Sequence, residues 1–193
     1  MAKLFVEAVP RVYACCDALL TAQDIASASR FQNEQRRAEH LAWRRIVRRE
    51  LGRGVVIEYD AVGAPVVDTP NIYISVSHSG SVVAVAIGSR RVGVDIERRD
   101  RGFDRVRAKY MSPAEASLST ADWWPAAVWC AKEAMYKYYG VRGVELVEDL
   151  VVERWDAATS LITGRMTGRE AVNVEVSCYD GYVVAVAEQK TEK

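Results

Sequence analysis

The string Val-Val-Ala-Val-Ala occurs twice in this chain, at 82–86 and again at 183–187. Each copy follows a Val-Ser pair and a glycine-containing turn, in ISVSHSGSVVAVAIGSRRVGVDIE at 74–97 and in VEVSCYDGYVVAVAEQ at 174–189. β-branched residues on both sides of a glycine turn are typical of an antiparallel hairpin. The repetition therefore predicts two similar hairpins and favours a fold of two related halves. The alternative is that two such strings, which are common in β structure, arose by chance.

Each predicted hairpin is preceded by a long helix that ends at glycines. The first predicted helix covers 29–51, with Trp43, Ile46 and Val47 in its apolar stripe, and the second covers 124–139. Strands are predicted at 4–13, 55–59, 72–77, 81–88, 92–97, 148–154 and 161–166, with a turn at 63–65 and a helix start at Ser112-Pro113. This order predicts an α+β fold of two similar α/β subdomains related by a pseudo-twofold axis. Each would pack a long helix on a small, mainly antiparallel sheet, with the N-terminal subdomain at 1–100 and the C-terminal one at 101–193.

Composition narrows the class of protein. Half of the 193 residues are hydrophobic, which is enough for a substantial core. Twenty-six basic residues balance twenty-six acidic ones, so no overall field attracts nucleic acid or an anionic membrane. The arginine-rich stretch 36–53 is the one feature that favours nucleic acid, and it lacks an aromatic platform. We expect neither nucleic acid nor a membrane as a partner.

The start of the chain and the cysteines bear on the compartment. The first residues lack the apolar core of a signal peptide, and no apolar run reaches the roughly 20 residues of a membrane helix. The four cysteines, Cys15, Cys16, Cys130 and Cys178, show no zinc spacing. We therefore expect a cytoplasmic protein with reduced, buried thiols.

Two carboxylates on one predicted strand are the first candidates for chemistry. Asp95 and Glu97 are two residues apart, so both point to the same side of the sheet while Ile96 faces the core. Like charges this close need a cation or strong donors, and Mg²⁺ suits oxygen ligands near phosphates. A solvated acidic pair at a strand end is the alternative.

The second predicted helix adds Glu133 and Lys137 on one polar flank. Alone, they could be a helix-stabilising ion pair at the surface. Together with Asp95 and Glu97 they would give three carboxylates for a metal and a lysine for a phosphate. Ser77 and His78, on the first hairpin, can both donate hydrogen bonds to phosphate, although a hairpin histidine can also be purely structural.

These motifs, in this order, resemble a known family. VGVDIE at 92–97, WCAKEAMYK at 129–137, SVSHSG at 75–80 and KYMSPAE at 109–115 are similar to the motifs of the 4′-phosphopantetheinyl transferases. Internal duplication in one chain matches the Sfp-type members, which resemble two fused copies of the small trimeric holo-acyl-carrier-protein synthase. The likeness runs from Arg30-Phe31 to the closing hairpin.

The resemblance implies a function and a role for each matched residue. Such an enzyme transfers the phosphopantetheine arm of coenzyme A to a serine of an acyl or peptidyl carrier protein and leaves adenosine 3′,5′-bisphosphate. The matched metal ligands are Asp95, Glu97 and Glu133, with Glu133 also in the position of the group that deprotonates the serine. The matched coenzyme A contacts are Ser77, His78, Lys132, Lys137 and Arg48. One active site per chain and a monomer would follow from the fusion.

Two stretches depart from the family pattern. Ala64, in the turn Gly63-Ala64-Pro65, stands where the family usually has a basic residue. The stretch AQDIASAS at 22–29 contains Asp24 where the family tends to have lysine or arginine. Among the helix arginines, Arg48 is the foremost candidate to compensate. The departures motivate an alternative function, a non-catalytic homologue that binds carrier proteins but has weakened affinity for coenzyme A.

Overall fold

A computed structural model describes residues 1–10 and 17–190. In chain order the elements are β1 (Lys3–Ala8), α1 (Ala22–Ala28), α2 (Glu34–Leu51), β2 (Ile57–Tyr59), β3 (Pro65–Val67), β4 (Tyr73–Ser79), β5 (Val82–Gly88), β6 (Val92–Arg98), a 3-10 helix (Phe103–Lys109), α3 (Pro113–Ala116), α4 (Trp124–Tyr139), β7 (Leu150–Asp156), β8 (Leu161–Met166), β9 (Val172–Tyr179) and β10 (Tyr182–Gln189). The predicted α+β class is confirmed.

The strands form two main sheets, one for each half of the chain. The first has three strands in the order β1-β5-β4, and the second has five in the order β6-β10-β9-β8-β7, while β2 and β3 pair separately. All of these pairings are antiparallel. In both sheets, therefore, the last strand of the half pairs with a strand that precedes the long helix, β1 with β5 and β6 with β10. The predicted boundary at residue 100 grouped β6 with the first half, whereas its hydrogen bonds belong to the second sheet.

The strands that carry the repeated string are buried on both faces. In β5, Val83 and Val85 pack into the core under α2, whereas Val82, Ala84 and Ala86 face the second sheet. In β10 the alternation is reversed: Val183, Ala185 and Ala187 pack under α4, whereas Val184 and Val186 face the first sheet.

The hairpin turns show that the structural repeat and the string repeat differ by one residue. Ser79 pairs with Val82 across the first turn, and Tyr179 pairs with Tyr182 across the second. In the structure, position 83 therefore corresponds to position 183. An alignment of the identical strings would instead match position 82 with position 183. A shift of one residue exchanges the two faces of a strand. The hairpin is repeated, as expected, but the identical letters do not occupy equivalent positions.

A capping motif with a buried carboxylate is also found in both halves. The side chain of Thr21 caps α1 and Ser112 caps α3, each in a reciprocal capping box with the acidic residue three positions later, Asp24 or Glu115. Asp24 then receives a hydrogen bond of 2.9 Å from Arg44 of α2, and Glu115 forms an ion pair of 2.8 Å with Lys132 of α4. Asp24, unexpected from the family pattern, is thus the first-half counterpart of Glu115.

Several predicted boundaries shift. The predicted helix 29–51 is wrong at its start, because Asn33 caps α2 and the preceding polar stretch forms the separate helix α1. The first strand ends at Ala8, and residues 11–13 of the prediction lie outside the described residues. Helix α4 and strand β8 have the predicted bounds.

The cysteine expectation is met in one place and fails in another. Cys130 is buried, but Cys178 is exposed, so the expectation of a buried thiol is wrong there. Cys15 and Cys16 lie outside the described residues. In the part of the chain that the structure describes, no helix is both long enough and apolar enough to cross a membrane.

Candidate active site

The site lies where the edge strand β4 of the first sheet meets the edge strand β6 of the second. Three serines on one side of β4 connect the strands through their side chains. Ser75 Oγ accepts a hydrogen bond of 3.0 Å from the backbone N–H of Val94. Ser77 and Ser79 each donate one of 2.7 Å, to Asp95 and Glu97 respectively. Alternation along both strands therefore brings the two carboxylates to the line of contact between β4 and β6, which is called the seam below.

Asp95 has the richest set of contacts in the seam. Its Oδ1 accepts hydrogen bonds from Ser77 Oγ and, at 2.8 Å, from Lys137 Nζ of α4. Its Oδ2 is buried and has no hydrogen-bond partner. Because an unpaired buried carboxylate oxygen is costly, this atom is a candidate to face a bound cation or donor. The buried Cys130 thiol, a weak donor, also lies close to this carboxylate.

Glu97 is held by a different pair of donors. Ser79 binds Oε2, and Arg101 forms a close ion pair with Oε1. Arg101 also lies over the ring of Trp129, with 5.8 Å between its guanidinium carbon and the ring centroid. The guanidinium therefore compensates the charge of Glu97 in this structure.

Glu133 projects from α4 into the same seam. Burial raises its pKa and the negative charge of Asp95 raises it further, while Lys137 and Arg101 oppose the shift. The ammonium of Lys137 binds Asp95 Oδ1 and the carbonyl oxygen of Val94, so it does not act as a simple surface partner of Glu133. A carboxylate with a raised pKa beside a second carboxylate is a common arrangement for a catalytic base.

His78 lies at the mouth of the seam, between Glu39 and Arg36 of α2. Its Nε2 is 2.6 Å from Arg36, and because a guanidinium can only donate, this nitrogen must accept. The ring proton therefore sits on Nδ1, which is 3.2 Å from Glu39 Oε2. That contact is close but not directed as a hydrogen bond, and the same oxygen lies 3.5 Å from the Arg36 guanidinium. Burial lowers the pKa of His78, although Glu39 opposes the shift, so His78 is a neutral ring here.

The carboxylates of the seam are candidates for a metal site. Within residues 1–10 and 17–190, no three His, Cys, Asp or Glu side chains are gathered closely enough to form a ready-made one. Glu97 is engaged by Arg101 instead. The donor set nevertheless fits a hard divalent cation, because Asp95 Oδ2 lacks a partner and the charge of Asp95 destabilises the ionised form of Glu133.

Two cavities flank the seam. A cleft of about 710 Å³ opens on the side of His78 and Glu97. A smaller cavity of about 220 Å³ lies between the turn around Ala64 and the side chain of Lys137. The Arg142 guanidinium donates a hydrogen bond to the carbonyl oxygen of Ala61, next to this turn, and so connects the two halves. The turn thus lines a cavity at the site, and Ala64 contributes no cation to it.

Two of the expected coenzyme A contacts are not in the site. Lys132 is fully buried, where it binds Glu115 and the carbonyl oxygen of Leu146. Arg48 is also buried, and it binds both oxygens of Asp24 and the carbonyl oxygen of Val55. The expectation for Lys132 and Arg48 is corrected: both cations neutralise buried acids and hold helices together. Ser77 lies in the seam, but its hydroxyl is donated to Asp95 instead of projecting toward a ligand.

Sequence reasoning missed three residues of the site: Glu39, Ser79 and Arg101. Ser79 was assigned to the predicted turn, because the predicted strand ended at residue 77, whereas β4 continues to Ser79. Arg101 follows Glu97 by four residues in a segment taken as a charged connection. Arg36 was one of the helix arginines considered as a contact to coenzyme A, behind Arg48, with a solvated helix face as the alternative. Glu39 belongs to the same run of charged residues, and no local pattern distinguishes it from the exposed ones.

The chain is similar to a known family over half of its length. No curated protein matches it with the similarity required for a relationship. A family model described as the 4′-phosphopantetheinyl transferase superfamily matches residues 91–187, from the start of β6 to within β10. The match spans half of the chain and includes Asp95, Glu97, Glu133 and Lys137.

Proposed function

This chain belongs to the 4′-phosphopantetheinyl transferase superfamily, and we propose that it transfers the 4′-phosphopantetheine group of coenzyme A to a serine of an acyl or peptidyl carrier protein. The proposal includes an Sfp-type architecture of two fused halves that share one active site per chain. One observation carries it: Asp95, Glu133 and Lys137 meet at the seam between the two sheets, with a cavity on either side.

Glu133 is the proposed base for the carrier serine. Because burial and Asp95 raise its pKa, its ionised form is a stronger base than an exposed carboxylate. As the serine oxygen attacks phosphorus, its proton passes to Glu133 and the adenosine nucleotide leaves. Lys137, fixed by Asp95 and the carbonyl oxygen of Val94, supplies a positive charge for the phosphate oxygens.

The carboxylates also define where a cofactor would be held. Asp95 and Glu133 would bind Mg²⁺, joined by Glu97 once Arg101 releases it, and the ion when bound would neutralise charge on the pyrophosphate. Ser77 and Ser79 orient Asp95 and Glu97 for this role. Phosphoryl transfer depends mainly on positioning and charge neutralisation, which these contacts provide.

A protein acceptor needs a surface beside the reacting groups. A further cavity of about 510 Å³ lies beside the 3-10 helix, and its charged lining residues are three cations and one carboxylate, with exposed Val106 and with Trp129 of α4 as apolar neighbours: Arg101, Arg105, Lys109 and Glu145. It joins the site through Arg101, which contacts Glu97. A cationic surface with an apolar centre suits an acidic partner segment.

The test is intact-mass spectrometry of apo carrier proteins incubated with the protein, coenzyme A and Mg²⁺, with EDTA in a parallel sample. We expect addition of one phosphopantetheine arm, lost with EDTA, and a rate at least about a hundredfold lower for Glu133→Gln, the usual contribution of a general base. Glu148→Gln, an exposed carboxylate outside the site, is the matched control. Transfer by Glu133→Gln at the rate of the control would contradict the proposal.

A non-catalytic homologue that binds carrier proteins is the second candidate. The burial of Lys132 and Arg48 favours it, because two expected contacts for coenzyme A are engaged elsewhere. Calorimetry separates the two candidates. The homologue would bind a carrier protein while showing negligible affinity for coenzyme A, whereas the enzyme binds both.

A further inference from the structure

Each of the two carboxylates on β6 has one oxygen held by a serine of β4. Ser79 donates a hydrogen bond of 2.7 Å to Glu97 Oε2. Ser77 donates one of the same length, 2.7 Å, to Asp95 Oδ1. Both carboxylates are buried, and a hydrogen bond to a charged group in such surroundings is stronger than one at the surface. The serines of the first half therefore fix the orientation of both acids of the second sheet.

The second oxygen of each acid is the one that a ligand can use. Asp95 Oδ2 is buried without a hydrogen-bond partner. Glu97 Oε1 is paired with Arg101, whose side chain is 55% exposed, while that of Glu97 is 11% exposed. Because Arg101 approaches from the solvent side, a divalent cation can replace it at Oε1 and the guanidinium returns to water. Each strand carboxylate thus offers one oxygen to a cation.

The number of oxygens that a carboxylate can offer affects which cation it binds well. Ca²⁺ is large, takes up to about eight oxygen ligands and often binds both oxygens of one carboxylate. Mg²⁺ is smaller, requires near-octahedral geometry, and combines one or two carboxylates with water and phosphate oxygens. A carboxylate with one oxygen fixed to a serine can bind a cation through both oxygens only if that hydrogen bond breaks. The serines therefore disfavour Ca²⁺ more than Mg²⁺.

The two serines differ in what holds the carboxylate without them. Asp95 Oδ1 also accepts a hydrogen bond of 2.8 Å from Lys137, so this oxygen stays fixed when Ser77 is removed. Among the described residues, Ser79 is the donor that holds Glu97 Oε2. Once a cation has replaced Arg101, removal of the Ser79 hydroxyl frees both oxygens of Glu97.

We propose that Ser79 is a positioning residue that makes the seam selective for Mg²⁺ over Ca²⁺, because it restricts Glu97 to one ligating oxygen. The inference rests on the metal site that is part of the proposed function, and it names what determines the choice of metal there. The restriction applies to the two strand carboxylates and leaves Glu133 available as the base.

The test measures the affinity of the protein for cations, with neither coenzyme A nor a carrier protein present. Mn²⁺, which also prefers oxygen ligands, is bound first and followed by electron paramagnetic resonance, and Mg²⁺ or Ca²⁺ is then added to displace it. We expect the wild type to bind Mg²⁺ more tightly than Ca²⁺. Ser79→Ala should lower the ratio of the Ca²⁺ to the Mg²⁺ dissociation constant by about tenfold, the scale of one hydrogen bond to a charged group. Ser79→Thr, which keeps the hydroxyl, should restore the ratio.

The other two serines of β4 give matched controls. Ser77→Ala should change the ratio much less, because Lys137 still holds Asp95 Oδ1. Ser75 accepts a hydrogen bond from the backbone N–H of Val94 and contacts neither carboxylate through it. Ser75→Ala should therefore lower stability and leave the ratio unchanged. A shift in Ser77→Ala as large as that in Ser79→Ala would contradict the assignment to Ser79.

The remaining outcomes are equally decisive. A wild type that binds Ca²⁺ more tightly than Mg²⁺ overturns the proposal, and this measurement holds even if Ser79→Ala fails to fold. A purely structural role for Ser79 would weaken both cations alike, and the unchanged ratio would overturn it as well. If no cation binds, the proposal fails together with the metal site. If the selectivity is found but no carrier protein is modified, the role of Ser79 stands while the transfer function fails.

Discussion

Lys132 and Glu133 are neighbours in the chain with opposite environments. Lys132 is fully buried against Glu115, while Glu133 faces the seam with Asp95. Successive helix residues point about 100° apart, so one can lie under the sheet and the next in the cleft. The two neighbouring residues therefore have different roles: Lys132 stabilises the fold, and Glu133 is available for chemistry.

The pH dependence of stability should report on His40. Burial lowers the pKa of His40 to about 4 from its usual 6.5, and the Arg44 cation adds to this effect. Because the folded-state pKa lies below the unfolded one, the unfolded chain takes up the proton first on acidification. The stability from the neutral ring is thus fully present above pH 6.5 and declines as the pH falls toward about 4.

Urea unfolding at several pH values checks this prediction. We expect the wild type to lose up to about 1.4 kcal/mol per pH unit through His40 across that window. His40→Gln should flatten the profile. His78→Gln should remove a separate contribution, because burial lowers the pKa of that histidine as well. An unchanged slope in His40→Gln would show that the ring is protonated without cost in the folded state.

The candidate site was predicted in part. A two-residue spacing on a strand and a four-residue spacing on a helix placed Asp95, Glu97, Glu133 and Lys137 correctly on facing surfaces. Spacing does not reveal which buried partner a polar group meets. Lys132 and Arg48 were therefore assigned to a ligand, although Glu115 and Asp24, distant in sequence, bind them.

At the scale of elements, the long helices are anchored by buried ion pairs from the preceding short helices. Replacing Lys132 by Met leaves Glu115 buried and without its cation, which costs about 3 to 5 kcal/mol. We expect the variant to unfold at a much lower urea concentration, with donor affinity unchanged in whatever protein stays folded. Arg165→Met, which breaks an exposed pair with Glu153, should cost under about 1 kcal/mol. Equal losses would mean that burial adds nothing to the Lys132 pair.

Strand β6 and helix α4 approach so closely that only glycine fits between them. A Cβ on Gly93 would lie 2.0 Å from the carbonyl oxygen of Ala134 and 2.7 Å from the backbone nitrogen of Tyr138. Gly93→Ala must therefore push apart the two elements that carry Asp95 and Glu133. We expect a loss of about 3 kcal/mol or more in unfolding free energy, at the upper end for an overpacked core.

The matched control for this glycine is Gly54, where an added Cβ meets nothing within 4 Å. Gly54→Ala should leave stability unchanged or raise it slightly, because it restricts the unfolded chain. Urea unfolding of both variants gives the comparison. A Gly93→Ala protein as stable as Gly54→Ala would show that β6 and α4 can separate without cost.

Elements with strong periodicity were predicted well, and those set by distant contacts were not. Helix α4 and the hairpin strands follow their own patterns of apolar residues. Helix α1 is short and polar, and arginines of α2 neutralise its capping acid Asp24. No local sequence pattern predicts this contact between distant residues. Strand β3 follows a turn at Gly63 and exists through pairing with β2.

At the scale of the molecule, an apolar core between the sheets joins the two halves. Val82, Ala84 and Ala86 of β5 meet Val184 and Val186 of β10 there, with three residues of β6 completing the cluster: Val92, Val94 and Ile96. Neither half can bury this surface alone. The halves should therefore unfold together.

Hydrogen exchange followed by mass spectrometry checks this expectation. The amides of α2 in the first half and of α4 in the second should reach the same limiting free energy of opening at low denaturant. Val184→Ala, which thins the shared core, should lower both by the same amount, about 0.5 to 3 kcal/mol for a buried truncation. Independent halves would instead show α2 opening at one free energy and α4 at another, with the variant affecting one of them.

The one-residue offset between the repeated strings in β5 and β10 affects any alignment of the two halves that is based on sequence identity. A strand with one solvent-exposed face has a fixed register, because a shift of one residue would turn its polar side chains toward the core. These two strands are buried on both faces, so valine and alanine can occupy either face at little cost in free energy while the turns fix the register of the hairpins. A consensus or ancestral half-protein designed by aligning the identical strings would place His78 at the position of Tyr179, whereas the structure places it at the position of Cys178. The side chains of one strand would then point to the wrong faces of the sheet.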